Sequence, residues 1–190
     1  MVSPVPPLRA DSVDDEFLPR FDVESRHSID IAAPPSRVYA VSRDLDMSSS
    51  PLVRALFGLR CMPRSGLRLQ GLTNIGFKTL RDEPGRTVVL GLIGRFWTLR
   101  GDLLDFDPAD FPSFAAPGYA KATWSFTLEG SSQTRLTTVT RVLCLDRAAR
   151  QSFERYWFFV RPFSGLVRQE ALRIVKRSAE SVARQSYETK

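Results

Sequence analysis

The sequence predicts an α+β fold in which a curved antiparallel sheet grips one long C-terminal helix. Three observations predict it. Residues 121–128 alternate, with Ala122, Trp124, Phe126 and Leu128 apolar and Lys121, Thr123, Ser125 and Thr127 polar; a period of two marks a half-buried strand. Gly130, Ser131 and Ser132 make a turn, and residues 135–145, rich in Thr, Val and Leu, alternate again. From Phe153 the period becomes helical: Phe153, Trp157, Val160, Ser164, Val167, Ala171 and Ile174 are spaced 4, 3, 4, 3, 4, 3. A sheet held against a terminal helix in this way leaves a cavity, which points to a binding fold.

The earlier elements follow in order. Residues 1–20 hold four prolines and four acidic residues with little apolar periodicity, so a flexible N-terminal arm is expected before a single domain over 21–186. Residues 23–32 read as the first strand, with Val23, Ser25, His27, Ile29 and Ile31 on one face, and Pro34 and Pro35 stop it. A helix opens at Pro35 or Ser36, with Val38, Tyr39, Val41, Ser42 and Leu45 as its inner face. A second short helix follows from Pro51, with Leu52, Ala55, Leu56 and Leu59 on its apolar side. Residues 67–82 read as an irregular strand, Pro84-Gly85 as a turn, 86–93 as a clear strand and 95–104 as its continuation. Residues 105–117 form a loop with three prolines, and Phe106, Phe111 and Phe114 are its candidate lid residues. The terminal helix is expected to begin at Asp146, a capping carboxylate, and to break or kink near Pro162.

Composition narrows the class. A hydrophobic content of 43% and a charged content of 25% suit a soluble globular domain. No apolar run approaches the ~18 residues of a membrane span, and the first residues lack the pattern of a secretory signal, so a cytoplasmic location is expected. Cys61 and Cys144 have no metal-ligand spacing and read as reduced thiols. The net charge is +6, and residues 147–190 carry ten Lys/Arg against four Asp/Glu. That basic helix can meet a membrane surface, although Lys176, Glu180 and Arg184 are spaced to pair along it. No motif for nucleic acid occurs.

The segments HSIDIAAPPSRVYAVSRDLD (27–46) and TRLTTVTRVLCLDRAARQSFERYWFFVRPFSGLVRQEAL (134–172) resemble the START-like superfamily, also described as the polyketide cyclase/dehydrase and lipid-transport family. The resemblance covers roughly residues 21–180. It implies a helix-grip fold: a seven-stranded antiparallel sheet wrapped around the C-terminal helix, with two short helices between strands one and two. It also implies a cavity for a lipid, sterol, polyketide or hormone, and in some members cyclisation or dehydration within it. Fold alone does not choose among these.

Catalytic signals are sparse. His27 is the single histidine, so any Ser–His or Cys–His unit would need it. Asp102, Asp105, Asp107 and Asp110 lie close together but lack a calcium-loop pattern and read as a solvated acidic loop. Neither metal nor cofactor is expected. The candidate cavity lining is Trp97, Trp124, Phe126, Thr138, Thr140, Tyr156, Trp157, Val160 and Ser164. On the last strand the face of Leu136, Thr138, Thr140, Val142 and Cys144 is expected to point inward. The opposite choice would bury Arg141 and demand an anionic ligand group or a carboxylate such as Glu154. Three functions compete: binding of a hydrophobic small molecule without catalysis; an aromatase/cyclase-type enzyme using Tyr156, Arg141 or His27; and an interaction module using the basic helix.

Overall fold

The computed structural model describes residues 12–47, 50–51, 76–98 and 102–188, with side chains through residue 181. The elements are α1 (Val13–Phe17), β1 (Val23–Ile31), α2 (Pro35–Arg43), β2 (Lys78–Glu83), β3 (Thr87–Gly94), a single 3₁₀ turn (Pro108–Asp110), β4 (Ala120–Gly130), β5 (Thr134–Cys144) and α3 (Arg147–Glu188). The sheet is antiparallel throughout, in the order β1-β5-β4-β3-β2. Its central hairpin pairs β4 with β5 from Ala120↔Cys144 to Gly130↔Thr134. Gly130, at φ +120°, supplies the turn conformation, since a Cβ there would lie 2.1 Å from the Gln133 carbonyl oxygen.

The fold class is as expected: α+β, with an antiparallel sheet and a long C-terminal helix. Among the described residues, however, the sheet has five strands rather than seven. The expected second short helix and the first half of the strand at 67–82 lie outside the described residues, save Pro51. The expected strand at 95–104 is corrected: Arg95–Thr98 is a turn, closed by the Thr98 N–H on the Arg95 carbonyl. Asp146 caps α3 as expected, accepting from the Ala149 N–H at 2.9 Å. These backbone bonds, with that of Gly118, hold the Asp146 carboxyl below its usual range. The expected break near Pro162 is also corrected, because α3 runs through it as one 42-residue helix.

The helix-facing side of the sheet carries the even-numbered residues of β3, β4 and β5, as expected for the Leu136 face. Leu90, Trp124, Phe126, Leu128 and Leu136 pack with Ala171, Leu172, Val175 and Ala179 of α3. Val38 of α2 closes the same cluster. Toward the start of α3, Leu92, Ala122, Val142 and Cys144 pack with Ala149 and Phe153. Each large apolar side chain removed from water in this way contributes roughly 1.5–3 kcal/mol.

The other side of the sheet is not open to solvent. Val89 and Ile93 are covered by Phe17 and Phe111, with Val13, Phe106 and Phe114 packed around them. The expectation of a loose arm is therefore corrected over residues 12–20. Ser12 caps α1 in a capping box with Asp15, and Asp14, Phe17 and Leu18 are buried. This second layer explains why Lys121, Thr123 and Ser125 of β4, expected to face solvent, are buried. Ser125 donates to Asp14 at 2.7 Å. Lys121 donates to the carbonyls of Phe111 and Pro112 at 3.1 and 2.9 Å. Its desolvation pushes the ammonium pKa down.

Candidate functional site

Between the two apolar clusters, the sheet–helix interface turns polar. β5 presents Thr138 and Thr140, β1 presents Ser25 and His27 in register with them, and α3 presents Ser164, Gly165 and Arg168. Arg168 organises the group. Its Nε donates to Thr140 Oγ1 at 2.7 Å, its Nη1 donates to the Ser164 carbonyl at 3.1 Å and to Ser164 Oγ, and its guanidinium lies over the Trp124 ring at 5.5 Å. Trp124 is itself fixed: Nε1 donates to Thr138 Oγ1 at 2.7 Å, and the Thr138 hydroxyl donates in turn to the Ser125 carbonyl at 2.9 Å.

The electrostatics are one-sided. Among the described residues no carboxylate pairs with Arg168. The residue as a whole is partly exposed, but protein surrounds the guanidinium, and desolvation pushes it down to about 10. It remains cationic at neutral pH. His27 lies beside it: a Cβ added at Gly165 would lie 3.9 Å from the imidazole, and the ring Nε2 is 3.2 Å from Ser25 Oγ. Burial, and then the Arg168 charge, hold the His27 pKa below its ordinary value.

Burial along α3 varies at this point. Ala149 and Phe153 before it, and Ala171, Leu172, Val175 and Ala179 after it, are buried. Trp157, Val160, Ser164, Gly165, Val167 and Arg168 between them are only partly so. The stripe is closely covered at both ends and less closely in the middle.

The structure sorts the expected lining residues into groups. Trp124, Thr138, Thr140 and Ser164 converge on Arg168, and Phe126 packs on Trp124 with ring centres 5.1 Å apart. Trp97, Tyr156 and Trp157 gather instead around Phe153, at 6.4, 6.0 and 5.7 Å. Val160 is partly buried between the two groups. The candidate lid is corrected: Phe106, Phe111 and Phe114 pack on the sheet face away from α3, and Phe111 is fully buried there. Arg141 is also on that far face, bound to Asp15 at 2.6 Å and Glu24 at 3.0 Å. Its carboxylates are therefore not Glu154, and it is no donor to the interface. Of the three residues named for a cyclase, His27 alone adjoins Arg168.

Other chemistry has little support. Burial, and then Asp22, push the Cys144 thiol up to about 12, which makes it a poor nucleophile. Cys61 lies outside the described residues. Among the described residues no three His, Cys, Asp or Glu side chains group as metal ligands, and no helix is long and apolar enough to cross a membrane. Of the acidic loop, Asp105 pairs with Lys78 and Asp107 caps the Ala109 N–H at 2.9 Å. A surface depression of about 520 Å³ beside the start of α3 is lined by Cys144, Asp146, Arg150 and Glu154 among others. Its charged lining includes none of the expected lining residues.

Arg168 was missed because a heptad stripe drifts. The 4, 3 spacing from Phe153 averages 3.5 residues per turn, and a helix of 3.6 turns away from it by about 20° per heptad. Over the two heptads from Phe153 to Val167 the drift is about 40°, which brings Arg168 and Val175 onto the inner face beside Val167 and Ile174. Laying the 3.6 period over residues 164–179 places an arginine among small and apolar residues, which is the signal available in the sequence.

No protein-family model matches the chain, and no curated protein sequence matches it. Solved structures with some likeness are distant. A protein of Deinococcus radiodurans is 12% identical, with a TM-score of 0.32 over 71% of this chain and 94% of its own. The ZhuI aromatase/cyclase of a Streptomyces species is 16% identical, with a TM-score of 0.28 over 83% and 93%. Norcoclaurine synthase of Thalictrum flavum, solved with dopamine and hydroxybenzaldehyde, is 10% identical, with a TM-score of 0.34 over 94% and 98%.

Proposed function

We propose that the chain is a helix-grip protein of the START-like kind, a single domain that takes in α1 as well as the residues from 21 to 186, that binds a hydrophobic small molecule between its sheet and α3. One observation carries this reading. The α3 stripe is buried at both ends and partly exposed from Trp157 to Arg168. An interface packed closely at its ends and less closely in its centre, with Trp97, Trp124 and Trp157 along it, has the apolar surface and few placed polar groups of a ligand site. Catalysis is not part of the proposal, and no cofactor is invoked.

The test is native against denaturing mass spectrometry of freshly purified protein. A bound mass that leaves on denaturation, and is lost when Trp157 is replaced by Ala, is the expected result. Absence of any bound mass, together with no uptake of an added apolar dye, would overturn the reading.

A second reading has its own observation. Phe158 and Phe159 are 78% and 70% exposed, and Phe163 and Leu166 are exposed beside them. These positions share one outer face of α3, and Arg155 and Arg161 are exposed close by. Aromatic groups with flanking cations suit the surface of an anionic membrane. Cosedimentation with phosphatidylserine vesicles tests it. Binding that Phe158→Ser/Phe159→Ser abolishes supports a membrane-facing helix, and no binding even at low salt refutes it.

A further inference from the structure

We propose that Arg168 is the recognition residue for a carboxylate on the bound molecule, so that the ligand is an apolar acid rather than a neutral lipid. The inference rests on the binding reading above and narrows it.

The donor inventory leads to this assignment. A guanidinium has five N–H donors and no acceptor. Arg168 uses Nε on Thr140 and Nη1 on Ser164. Its Nη2 group has no acceptor among the described residues. Thr140 Oγ1 accepts from Arg168, and its own hydroxyl proton likewise has no acceptor among the described residues. Two adjacent donors thus remain at one point of the interface.

Charge leads to the same place. A cation surrounded by protein is costly without a counter-charge. Elsewhere this chain supplies one: the buried Arg141 has both Asp15 and Glu24. Arg168 has hydroxyls, a carbonyl and the Trp124 ring instead. These hold the guanidinium in one orientation and, among the described residues, leave its charge uncompensated. His27 adds no negative charge, and the acidic residues of β1, Glu24 and Asp30, belong to the opposite face of that strand. A carboxylate supplies a counter-charge, and its two oxygens can accept from the guanidinium and from the neighbouring hydroxyl. The apolar remainder would lie along Trp124, Val160 and Trp157.

The experiment displaces the neutral dye Nile red at pH 8 with dodecanoate, 1-dodecanol and dodecyl phosphate, using wild type, Arg168→Met and Arg168→Lys. Dodecanoate should displace the dye about tenfold better than the alcohol in wild type, as one charge-assisted contact implies. That preference should collapse in Arg168→Met and survive in part in Arg168→Lys. Equal displacement by acid and alcohol in wild type overturns the carboxylate assignment and leaves the binding reading standing. Stronger displacement by the phosphate also overturns it, since the headgroup is then a different anion. No dye uptake overturns both. The wild-type comparison of acid with alcohol needs no variant to fold.

Discussion

Arg141 and Asp15 meet at 2.6 Å across the outer face of the sheet, although 126 residues separate them in the chain. Arg141 is 3% exposed and also reaches Glu24 at 3.0 Å and the Leu18 carbonyl at 3.1 Å, with the Phe21 ring against it. Removing the guanidinium takes the counter-charge from two carboxylates, of which Glu24 is nearly buried. Breaking a buried ion pair from one side costs about 3–5 kcal/mol, and the partial exposure of Asp15 favours the low end. Arg141→Met should therefore lower the unfolding free energy by about 3 kcal/mol in urea with an unchanged slope. A loss within about 0.5 kcal/mol would mean that this bridge does not hold the N-terminal segment to the sheet.

The same bridge sets an acid limit. Burial alone would raise the Asp15 carboxyl, but the Arg141 bond and the Ser12 N–H outweigh it and hold the group below its usual value. A depressed carboxyl contributes stability above its unfolded value, near pH 3.9, and loses it as pH falls through the folded one. Urea midpoints measured from about pH 5 down to about pH 2 should fall more steeply in wild type than in Asp15→Asn. Parallel acid limbs would show that the pair does not persist in solution.

Phe111 distinguishes core from lid. It is fully buried, against Phe106 at 5.7 Å and under the Lys121 ammonium at 5.5 Å from its ring centre. Truncating a buried phenylalanine costs about 3–5 kcal/mol. Phe111→Ala should show a loss of that order in urea, with ligand exchange no faster per folded molecule. Normal stability with faster ligand release would restore the lid.

These outer-face contacts mark the limit of what was legible in the sequence. The β4–β5 hairpin, the α2 turn at Pro34-Pro35 and the long terminal helix follow from local periods of two and 3.6, and each appears within a residue or two of its expected bounds. The burial of Thr123 and Ser125 does not follow, because it depends on α1, a five-residue helix among polar and proline residues, folding back over the strand. Asp14, Asp15 and Glu16 look like a solvated acidic run until Ser125, Arg141 and Arg81 are placed opposite them. At the candidate site, Trp124, Thr138, Thr140 and Ser164 were visible by alternation and by the helical stripe. Arg168 was not, since a charged residue one position off that stripe reads as solvent-facing.

Pro162 offers a gain in stability. It sits exposed inside α3, where it cannot donate a backbone bond to residue 158 and crowds the preceding turn. Proline in a helix interior costs about 3 kcal/mol relative to alanine. Pro162→Ala should raise stability by about 1–3 kcal/mol, read as a higher thermal midpoint. A lower or unchanged midpoint would count against a continuous α3 at this point.

His27 reports directly on the charge at the centre of the interface, and the chain holds no other histidine to confuse the signal. Its ring faces Arg168 and Gly165 on α3, Ser25 on its own strand and Thr138 on β5. None of these is acidic, so folding favours the neutral imidazole. Between the folded pKa and about 6.5 the unfolded chain therefore binds more protons, and stability should fall as pH drops through that window and level off below it. His27→Gln should lack this limb. The His27 Cε1–H resonance should titrate with a midpoint below 6.5 in wild type. In Arg168→Met the midpoint should move upward, because the neighbouring positive charge is gone. A wild-type midpoint at or above 6.5, or one that ignores Arg168→Met, would mean that the guanidinium does not sit uncompensated beside the ring. An added dodecanoate should raise the wild-type midpoint in the same direction as Arg168→Met does, since a carboxylate on the guanidinium cancels the charge that His27 feels.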